Sequence, residues 1–246
     1  MNIIHFRSLK NVRELSYGNI KNNRLIRSES LNHLSRREAK ILKDNYELKV
    51  IIDLRTPQEA NEKKDRAIEG VNRYLIPLIY MSELGLKDEK EGRRNIAKSH
   101  QLPDIYDYYH RLVNEDKKDA WTKIFSILLD NKSGSTLIHC TVGKDRCGIV
   151  VAVILLALGI KKEEVINDYL LTDKAGIIPF TYRLFALTLD KEFRKEFLEY
   201  FRAKEEYIVS ALDYIDEKYG SIDVFLRDIC SLDDTKLFEL KRMYLK

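Results

Sequence analysis

Residues 137–158 read Leu-Ile-His-Cys-Thr-Val-Gly-Lys-Asp-Arg-Cys-Gly-Ile-Val-Val-Ala-Val-Ile-Leu-Leu-Ala-Leu, and this stretch decides the fold. The apolar pair Leu137-Ile138 leads in as a strand. The continuously apolar run 149–158 leads out as a buried helix, and Gly159 closes it. Between them lies a short polar loop that contains a glycine. The sequence therefore predicts a strand, a tight loop and a helix in direct succession.

The loop has the composition of an anion-binding cradle. Gly143 permits a tight turn because it carries no Cβ, and the backbone N–H groups of 141–146 can then point into one concavity. The N-terminus of the following helix adds free N–H donors and partial positive charge. Arg146 can bind two phosphate oxygens as a fork. The predicted phosphate-binding positions are therefore Thr141, Val142, Gly143, Lys144 and Cys147, in addition to Arg146.

Cys140 stands six positions before Arg146, at the start of this loop. A cysteine attacks only as the thiolate, which the N–H groups, the helix terminus and the guanidinium all favour. Its attack on a phosphate monoester would give a phosphocysteine that water then hydrolyses. Since backbone N–H groups and Arg146 supply the positive charge for the transition state, neither a metal nor a cofactor is predicted. His139 is expected to order the end of the strand by hydrogen bonding.

The leaving oxygen needs a proton, and a carboxylic acid is the usual donor. Asp145 lies inside the loop and is the first candidate. Asp53 ends a predicted strand and is the second candidate, because it could face the same cleft. Asp104 and Asp107 are weaker candidates. The only tryptophan, Trp121, is not followed by Pro-Asp, so the Trp-Pro-Asp loop of many tyrosine phosphatases is absent.

The run His-Cys-Thr-Val-Gly-Lys-Asp-Arg at 139–146 resembles the signature of cysteine-dependent phosphatases. Its Lys-Asp pair is similar to that of the atypical bacterial tyrosine and lipid phosphatases, also called triple-specificity phosphatases. Weaker similarities to that family follow in order along nearly the whole chain: Phe6-Arg7-Ser8-Leu9, Arg24 to Ser28 with Leu31, Asp53 to Glu59, and Tyr219-Gly220-Ser221 with Phe225-Leu226.

This resemblance implies one phosphatase domain over residues 1–246. It implies that Cys140 is the nucleophile, Arg146 the phosphate clamp and Asp145 the acid. Lys144 would add charge to the pocket, which in relatives goes with acceptance of phosphoinositides as well as phosphotyrosine. Phosphoserine and phosphothreonine are further expected substrates.

Position 147 departs from the family pattern, which has a Thr or Ser whose hydroxyl donates to the thiolate. Cys147 is a weaker donor, so we expect a less stabilised thiolate and slower turnover. One interpretation is a tolerated small residue in the first helical turn. The other is redox control, in which a Cys140–Cys147 disulfide protects the nucleophile from over-oxidation.

The remaining pattern predicts an α/β fold. Short apolar runs without polar alternation indicate strands buried on both faces of a parallel sheet. The predicted strands are 24–27, 49–54, 73–79 and 135–140, and the predicted helices are 33–45, 58–65, 104–116, 118–131, 146–158, 161–171 and most of 180–244. We therefore expect a tyrosine-phosphatase-like, mainly parallel sheet of about four to five strands, flanked by helices and extended by a helical C-terminal layer.

Two further segments outside the loop have a distinctive composition. Segment 172–205 mixes aromatic and basic residues, either as amphipathic helices packed on the core or as a helical lid over the site, as in some relatives. Segment 86–101 is charge-rich and is expected to be a solvated loop.

Several side chains near the predicted strand ends also have two interpretations. Arg27 and Arg55 each follow a strand and either approach the phosphate or form structural ion pairs. Tyr106, Tyr108 and Tyr109 either line a cleft or pack in the core.

Composition limits the class of partner. The chain has 246 residues, 44% of them hydrophobic, and a net charge of +4 with 33% charged residues of both signs. This balance does not indicate nucleic-acid binding and mildly favours anionic substrates or peripheral contact with an anionic membrane. Three cysteines do not suggest a disulfide framework, and neither a signal peptide nor a transmembrane run is visible. We expect a cytoplasmic protein; the pattern carries no prediction of oligomeric state.

Three function classes remain open. A phosphatase is the first, a catalytically impaired phosphate-binding module the second, and an enzyme similar to sulfurtransferases or arsenate reductases the third. The presence of both Cys140 and Arg146 argues against a binding-only module. The Lys-Asp-Arg run and the lack of a duplicated domain favour the phosphatase over the third class.

Overall fold

A computed structural model describes residues 2–86, 89–175, 178 and 180–246, and its centre is a six-stranded sheet in the order β1-β2-β3-β6-β4-β5. The strands are β1 (Asn2–Ile3), β2 (Arg13–Glu14), β3 (Leu25–Ser28), β4 (Leu48–Asp53), β5 (Asn72–Leu75) and β6 (Ser135–His139). Strands β3, β6, β4 and β5 run parallel, whereas β1 and β2 pair antiparallel at one edge. The predicted α/β class with a mainly parallel sheet is confirmed.

Helices cover both faces of this sheet and extend beyond it. In the described part of the chain they are α1 (Arg36–Asn45), α2 (Pro57–Glu62), α3 (Glu89–Ser99), α4 (Ile105–Leu112), α5 (Lys118–Asp130), α6 (Asp145–Ala157), α7 (Lys162–Lys174), α8 (Phe180–Ala186), α9 (Lys191–Tyr200), α10 (Glu205–Tyr219), α11 (Ile222–Asp228) and α12 (Asp234–Tyr244). Among these residues, no helix combines the length and apolar character that crossing a bilayer requires.

Neighbouring residues of the central strands face opposite cores. Ile52 and Ile138 belong to the large cluster beneath α4, α5 and α6, whereas Ile51 and Leu137 belong to the cluster that contains α1. This follows from the two-residue period of a strand, since successive side chains point to opposite faces. Because both faces are covered, the strands carry continuous apolar runs rather than alternating ones.

Helix α6 is the buried helix that the sequence predicts. Every residue from Arg146 to Leu155 is buried, and Gly159, at φ +81°, ends the helix in the left-handed conformation. The loop 140–144 is therefore held between a fully buried strand and a helix whose residues 146–155 are all buried.

Two local predictions need correction. The segment predicted as a solvated loop forms α3, because Ile96 and Ala97 pack against a small cluster around Phe193 and Phe197 of α9; Lys87 and Asp88 of that segment lie outside the described residues. Strands β1 and β2 were not predicted, since two-residue strands are too short to show a period.

The described part of segment 172–205 contains the end of α7, the whole of α8 and α9 and the start of α10. Helices α8 and α9 pack with α3 rather than on the main core. Their shared cluster contains Ala186, Leu189, Phe193 and Phe197 as buried members. We call α3, α8 and α9 together the cap. The aromatic residues of this segment therefore have a core of their own.

Candidate active site

The loop 140–144 lies at the carboxyl edge of the parallel strands, between β6 and α6. Gly143 has φ +73°, and an added Cβ would lie 2.4 Å from the Ser28 carbonyl oxygen. Any other side chain at position 143 would therefore meet backbone strain and a collision with β3. The turn holds the loop against the neighbouring strand.

Two buried side chains bind the loop from outside. The amide of Asn11 donates to the Gly143 carbonyl at 3.0 Å, and Arg27 Nη2 donates to the same oxygen at 2.6 Å. Arg27 is fully buried and its other nitrogen pairs with Asp168. The sequence allowed either a contact with phosphate or a structural ion pair for Arg27. The structure shows the ion pair, since the guanidinium binds Asp168 and the side of the loop that faces away from the cleft.

Asp168 of α7 is the centre of this support. It pairs with Arg13 at 2.8 Å and with Arg27, and it accepts from the Tyr17 hydroxyl at 2.9 Å. Burial opposes ionisation of this carboxyl, but the two guanidinium groups outweigh it and lower its pKa. The Asp168 hub therefore ties α7, β2, β3 and the loop together.

Arg146 is fixed by a carboxylate that the sequence did not single out as a site residue. Its Nη1 and Nη2 lie 2.6 and 2.7 Å from the two oxygens of Glu59, which also accepts from the Thr141 hydroxyl at 2.6 Å. Burial raises the pKa of Glu59, but Arg146 outweighs it and lowers the value to about 2. In the sequence, Glu59 was marked only as the last residue of the segment Asp53 to Glu59, which resembles the phosphatase family.

Glu59 is itself positioned by the start of α2. Thr56 and Glu59 form a capping box, in which the Thr56 N–H donates to Glu59 at 2.8 Å and the Glu59 N–H donates to the Thr56 hydroxyl at 3.1 Å. Pro57 occupies the first turn of the helix. The orientation of the Arg146 fork is therefore set by a helix N-terminus.

The two cysteines of the loop region are free thiols in different surroundings. Cys140 is 2% exposed at the start of the loop. Cys147 is fully buried and donates to the Ile138 carbonyl at 3.4 Å. Burial raises the pKa of Cys147 to about 12, so it holds its proton at neutral pH. The Cys140–Cys147 disulfide stays a prediction.

Asp145 begins α6 and lines the cleft above the loop. Its Oδ1 accepts from the Tyr109 hydroxyl at 2.6 Å and lies 2.7 Å from Lys144 Nζ. Lys144 is 2% exposed; its Nζ donates to the Arg202 carbonyl at 3.4 Å and lies 5.6 Å from the centre of the Tyr207 ring. Lys144 and Asp145 are therefore paired with each other, and their further contacts are with Tyr109 of α4, the Arg202 carbonyl and the Tyr207 ring of α10.

Asp53 and Arg55 lie below the loop and not in the cleft. Arg55 Nη2 binds Asp53 at 2.7 Å and Asp65 at 2.6 Å, and Arg73 also pairs with both carboxylates. Burial opposes ionisation of Asp53, yet Arg55 and His139 hold its pKa well below the usual range. This geometry does not fit the expectation that Asp53 donates a proton to substrate, or that Arg55 contacts phosphate.

His139 connects this ion-pair network to the loop. Its Nδ1 lies 3.1 Å from the Cys140 carbonyl oxygen and its Nε2 lies 3.2 Å from Asp65. Asp53, Asp65 and His139 offer atoms within 4.8 Å of one another, as metal ligands do. Both carboxylates are, however, already bound by arginines, so the group is arranged as an ion-pair network.

The remaining acid candidates are on α4. Asp104 caps the helix by accepting from the Tyr106 N–H at 2.8 Å, and Asp107 pairs with Arg111 at 2.7 Å. Both line the cleft, as does Tyr108.

Tyr106 and Trp121 stand apart from that lining. Tyr106 is exposed, and Trp121 is buried in the core, where its indole N–H donates to the Leu112 carbonyl at 3.1 Å.

The cleft has a volume of about 540 Å³ and opens above the loop. Its base is polar, with Glu59, Thr141, Lys144, Asp145 and Arg146. Its upper walls come from α4, the cap and the residues that directly follow α3 and α9, and they include Ile96, Leu102, Tyr108, Tyr182, Tyr200 and Phe201. The cleft therefore offers a charged end for an anion and an aromatic and aliphatic end for an organic group.

A family model described as the tyrosine phosphatase family matches residues 2–246. The triple specificity protein phosphatase PtpB of Mycobacterium tuberculosis is 25% identical over 243 residues, covering 83% of this chain and 85% of that protein. A tyrosine-protein phosphatase of Nostoc commune is 36% identical over 47 residues, covering 19% of this chain and 16% of that protein. The crystal structure of P. aeruginosa TpbA matches with a TM-score of 0.38 and 11% identity, covering 82% of this chain and 91% of that one.

Proposed function

This chain belongs to the tyrosine phosphatase family, and from that premise we propose that it hydrolyses phosphate monoesters through a phosphocysteine on Cys140, without a metal ion. The observation that carries the proposal is the Arg146 fork, which Glu59 holds at 2.6 and 2.7 Å in the loop that begins with Cys140. Glu59 takes one N–H group from each of the two Nη nitrogens, so the planar guanidinium keeps its Nε–H and the remaining Nη N–H groups for phosphate oxygens.

The first half-reaction follows from these positions. The phosphate lies between Arg146 and the backbone N–H groups of the loop, and the Cys140 sulfur attacks phosphorus. An S–P bond forms as the P–O bond to the leaving group breaks, and Asp145 gives its proton to the leaving oxygen.

The second half-reaction reverses the roles. Asp145, now a carboxylate, accepts a proton from water as the water oxygen attacks phosphorus. The S–P bond breaks, inorganic phosphate leaves, and the Cys140 thiolate is restored. Arg146 follows the equatorial oxygens through both steps, which is the main electrostatic contribution to catalysis.

The substrate class is proposed from the two ends of the cleft. The apolar upper walls suit an aromatic ring, so phosphotyrosine is the first substrate. Lys144 adds charge at the base and supports phosphoinositides as further substrates, with phosphoserine and phosphothreonine beside them. PtpB, which aligns with 83% of this chain, is named a triple specificity phosphatase, and this supports the same breadth here.

The test is release of nitrophenol from p-nitrophenyl phosphate in the presence of EDTA. We expect full activity with the chelator, inhibition by vanadate, and loss of turnover in Cys140→Ser to below about one part in a thousand. Retained activity in that variant would overturn the phosphocysteine. Phosphate binding without hydrolysis would favour the impaired binding module, and sulfur transfer or arsenate reduction instead would favour the third class.

A substrate panel tests the breadth. Comparison of kcat/KM for phosphotyrosine, phosphoserine and phosphothreonine peptides and for phosphoinositides in detergent ranks the classes. A larger loss of kcat/KM for phosphoinositides than for phosphotyrosine is expected in Lys144→Gln if Lys144 supplies charge for the inositol phosphates.

We also propose that the protein works in the cytoplasm and contacts membranes only peripherally. The three cysteines are free thiols, as a reducing compartment would keep them. Leu184 and Leu187 of the cap region are 48% and 64% exposed and support contact with a lipid surface. Sedimentation with anionic vesicles tests this: Leu187→Ser is expected to weaken binding, and an unchanged bound fraction would contradict it.

A further inference from the structure

A chain of three hydroxyl and carboxyl groups runs from the protein interior to the cleft. The Tyr169 hydroxyl lies 2.5 Å from the Tyr109 hydroxyl, which lies 2.6 Å from Asp145 Oδ1. Both tyrosines are fully buried, Tyr109 on α4 and Tyr169 on α7. Two helices thus meet at the first residue of α6 through side-chain hydroxyl groups.

The direction of these hydrogen bonds follows from the number of protons. Tyr109 has one hydroxyl proton, and a carboxylate oxygen can only accept, so that proton points to Asp145. Tyr169 must then donate to the Tyr109 oxygen. Burial raises the pKa of both tyrosines well above the usual value, so both keep their protons at any pH at which the enzyme works.

Packing prevents this chain from moving aside. A Cβ added to Gly148, one turn into α6, would lie 2.8 Å from Cδ2 of Tyr169, so the ring lies directly on the helix backbone. The Tyr109 ring packs at right angles to the Tyr169 ring, with 6.4 Å between centroids. The hydroxyl groups are therefore fixed relative to the first turn of α6.

The two oxygens of Asp145 are consequently not equivalent. Oδ1 accepts from Tyr109 and lies 2.7 Å from Lys144 Nζ. A proton on Oδ1 would confront both of these donors, so a protonated Asp145 carries its proton on Oδ2. We propose that Tyr109, supported by Tyr169, is a positioning residue that reserves Oδ2 of Asp145 for the proton given to the leaving group.

The inference rests on the proposed function, in which Asp145 is the general acid. As the Cys140 S–P bond forms and the ester P–O bond breaks, the proton moves from Oδ2 to the leaving oxygen. The electron pair left on Asp145 makes a carboxylate, which Tyr109 and Lys144 stabilise at Oδ1. The same bonds keep the carboxylate oriented when it accepts the proton of the incoming water.

The experiment compares two leaving groups in the Tyr109→Phe variant, which keeps the ring and removes the hydroxyl. For p-nitrophenyl phosphate the leaving group departs without help, whereas an alkyl phosphate needs the proton. We expect kcat/KM for the alkyl phosphate to fall roughly tenfold more than that for the nitrophenyl ester. The alkaline limb of the kcat/KM profile moves to higher pH, because a hydrogen bond that favours the ionised carboxyl has been removed.

Tyr169→Phe tests the same series of hydrogen bonds at its inner end. It can replace Tyr109→Phe if that variant does not fold. It acts through Tyr109, so its effects have the same direction and are smaller. The double variant is expected to match Tyr109→Phe alone, since Tyr169 has no separate route to Asp145. Tyr244→Phe is the matched control: its buried hydroxyl donates to the Leu128 carbonyl at 2.9 Å, outside the cleft, and neither readout should change.

Asp145→Asn separates failure of this inference from failure of the proposed function. If Asp145→Asn loses both substrates equally, Asp145 is not the acid and the proposed mechanism fails. If Asp145→Asn is selective against the alkyl phosphate but Tyr109→Phe and Tyr169→Phe lose both substrates equally with an unmoved alkaline limb, the tyrosines are only structural and the inference is wrong.

Discussion

The cradle and the cap are built by opposite kinds of contact. We call the loop 140–144 together with its buried charged supports the cradle. These supports are the ion pairs of Asp168 and the Glu59–Arg146 pair, which are directional bonds between side chains at most 9% exposed. Helices α8 and α9 of the cap are joined by aromatic contacts such as Phe185–Phe197 and Tyr182–Phe197, with ring centroids 5.3 and 6.3 Å apart.

The difference teaches where this molecule needs accuracy. Buried ion pairs cost much desolvation and tolerate little displacement, but they fix a group in one orientation. Apolar contacts are non-directional and permit repacking. The residues proposed for catalysis are held by buried ion pairs. The walls that would contact the organic part of a substrate are held by apolar contacts.

The largest expected effect comes from breaking the cradle at its hub. Asp168→Asn leaves the buried Arg13 and Arg27 without their carboxylate, so we expect a loss of about 3–5 kcal/mol in the free energy of unfolding. Urea denaturation measures it. Asp213→Asn is the control, because the Lys162–Asp213 pair at 2.8 Å is exposed and should contribute less than about 1 kcal/mol. Similar losses in both variants would contradict the role given to the hub.

The second prediction uses pH to sharpen the comparison. The pKa of Glu59 is lowered from 4.5 to about 2 in the folded protein, so its contribution is present above pH 4.5 and is lost as pH falls toward 2. Glu59→Gln should therefore cost about 3 kcal/mol at neutral pH and progressively less in acid. It should also lower kcat/KM at least tenfold, because the Arg146 fork loses its bidentate partner.

Denaturation of wild type and Glu59→Gln at neutral pH and near pH 3 measures this change. Glu239→Gln removes an exposed carboxylate that pairs with Lys132 at 2.7 Å and serves as the matched control. A difference between wild type and Glu59→Gln that does not shrink in acid would count against the charged pair.

The third prediction breaks the cap instead. Phe197 is fully buried, but in the small cluster of the cap. Phe197→Ala should lower amide protection in α3 and α9, while the global unfolding midpoint moves little and kcat/KM for p-nitrophenyl phosphate changes less than about threefold. Phe125→Ala makes the same truncation in the main core and should cost about 3–5 kcal/mol globally. A global loss of that size in Phe197→Ala would mean that the cap and the core unfold together.

The smallest expected effect is a change in hydrogen exchange on ligand binding. If the cap is a lid, vanadate should slow exchange in α8 and α9 as well as in the first turn of α6, which contacts the anion directly, and leave α12, which does not line the cleft, unchanged. Arg146→Ala, which lacks the phosphate clamp, is the control and should show no response to vanadate. Unchanged exchange in α8 and α9 of the wild-type protein would reject the lid.

The sequence predicted what is local and missed what is distant. Strand β6, the loop 140–144 and α6 follow one another in the sequence, so their residue pattern alone was enough to predict them. The partner of Arg146 is 87 residues away and that of Arg13 is 155 residues away, and one sequence does not reveal such pairs. Asp53 was expected at the cleft because it ends a strand, but its neighbours Arg55 and Arg73 bind it below the loop. Helix α3 was missed because its apolar residues become meaningful only against Phe193 and Phe197.

The capping box at Thr56 and Glu59 has a consequence for engineering. The residue that closes the first turn of α2 is the same residue that holds the Arg146 fork, so the decapeptide 139–148 is only half of a portable unit. Transplanting it into another parallel sheet would place a cysteine and an arginine at the right spacing but leave the guanidinium free to rotate. A functional graft has to carry segment 53–59 on the adjacent strand as well.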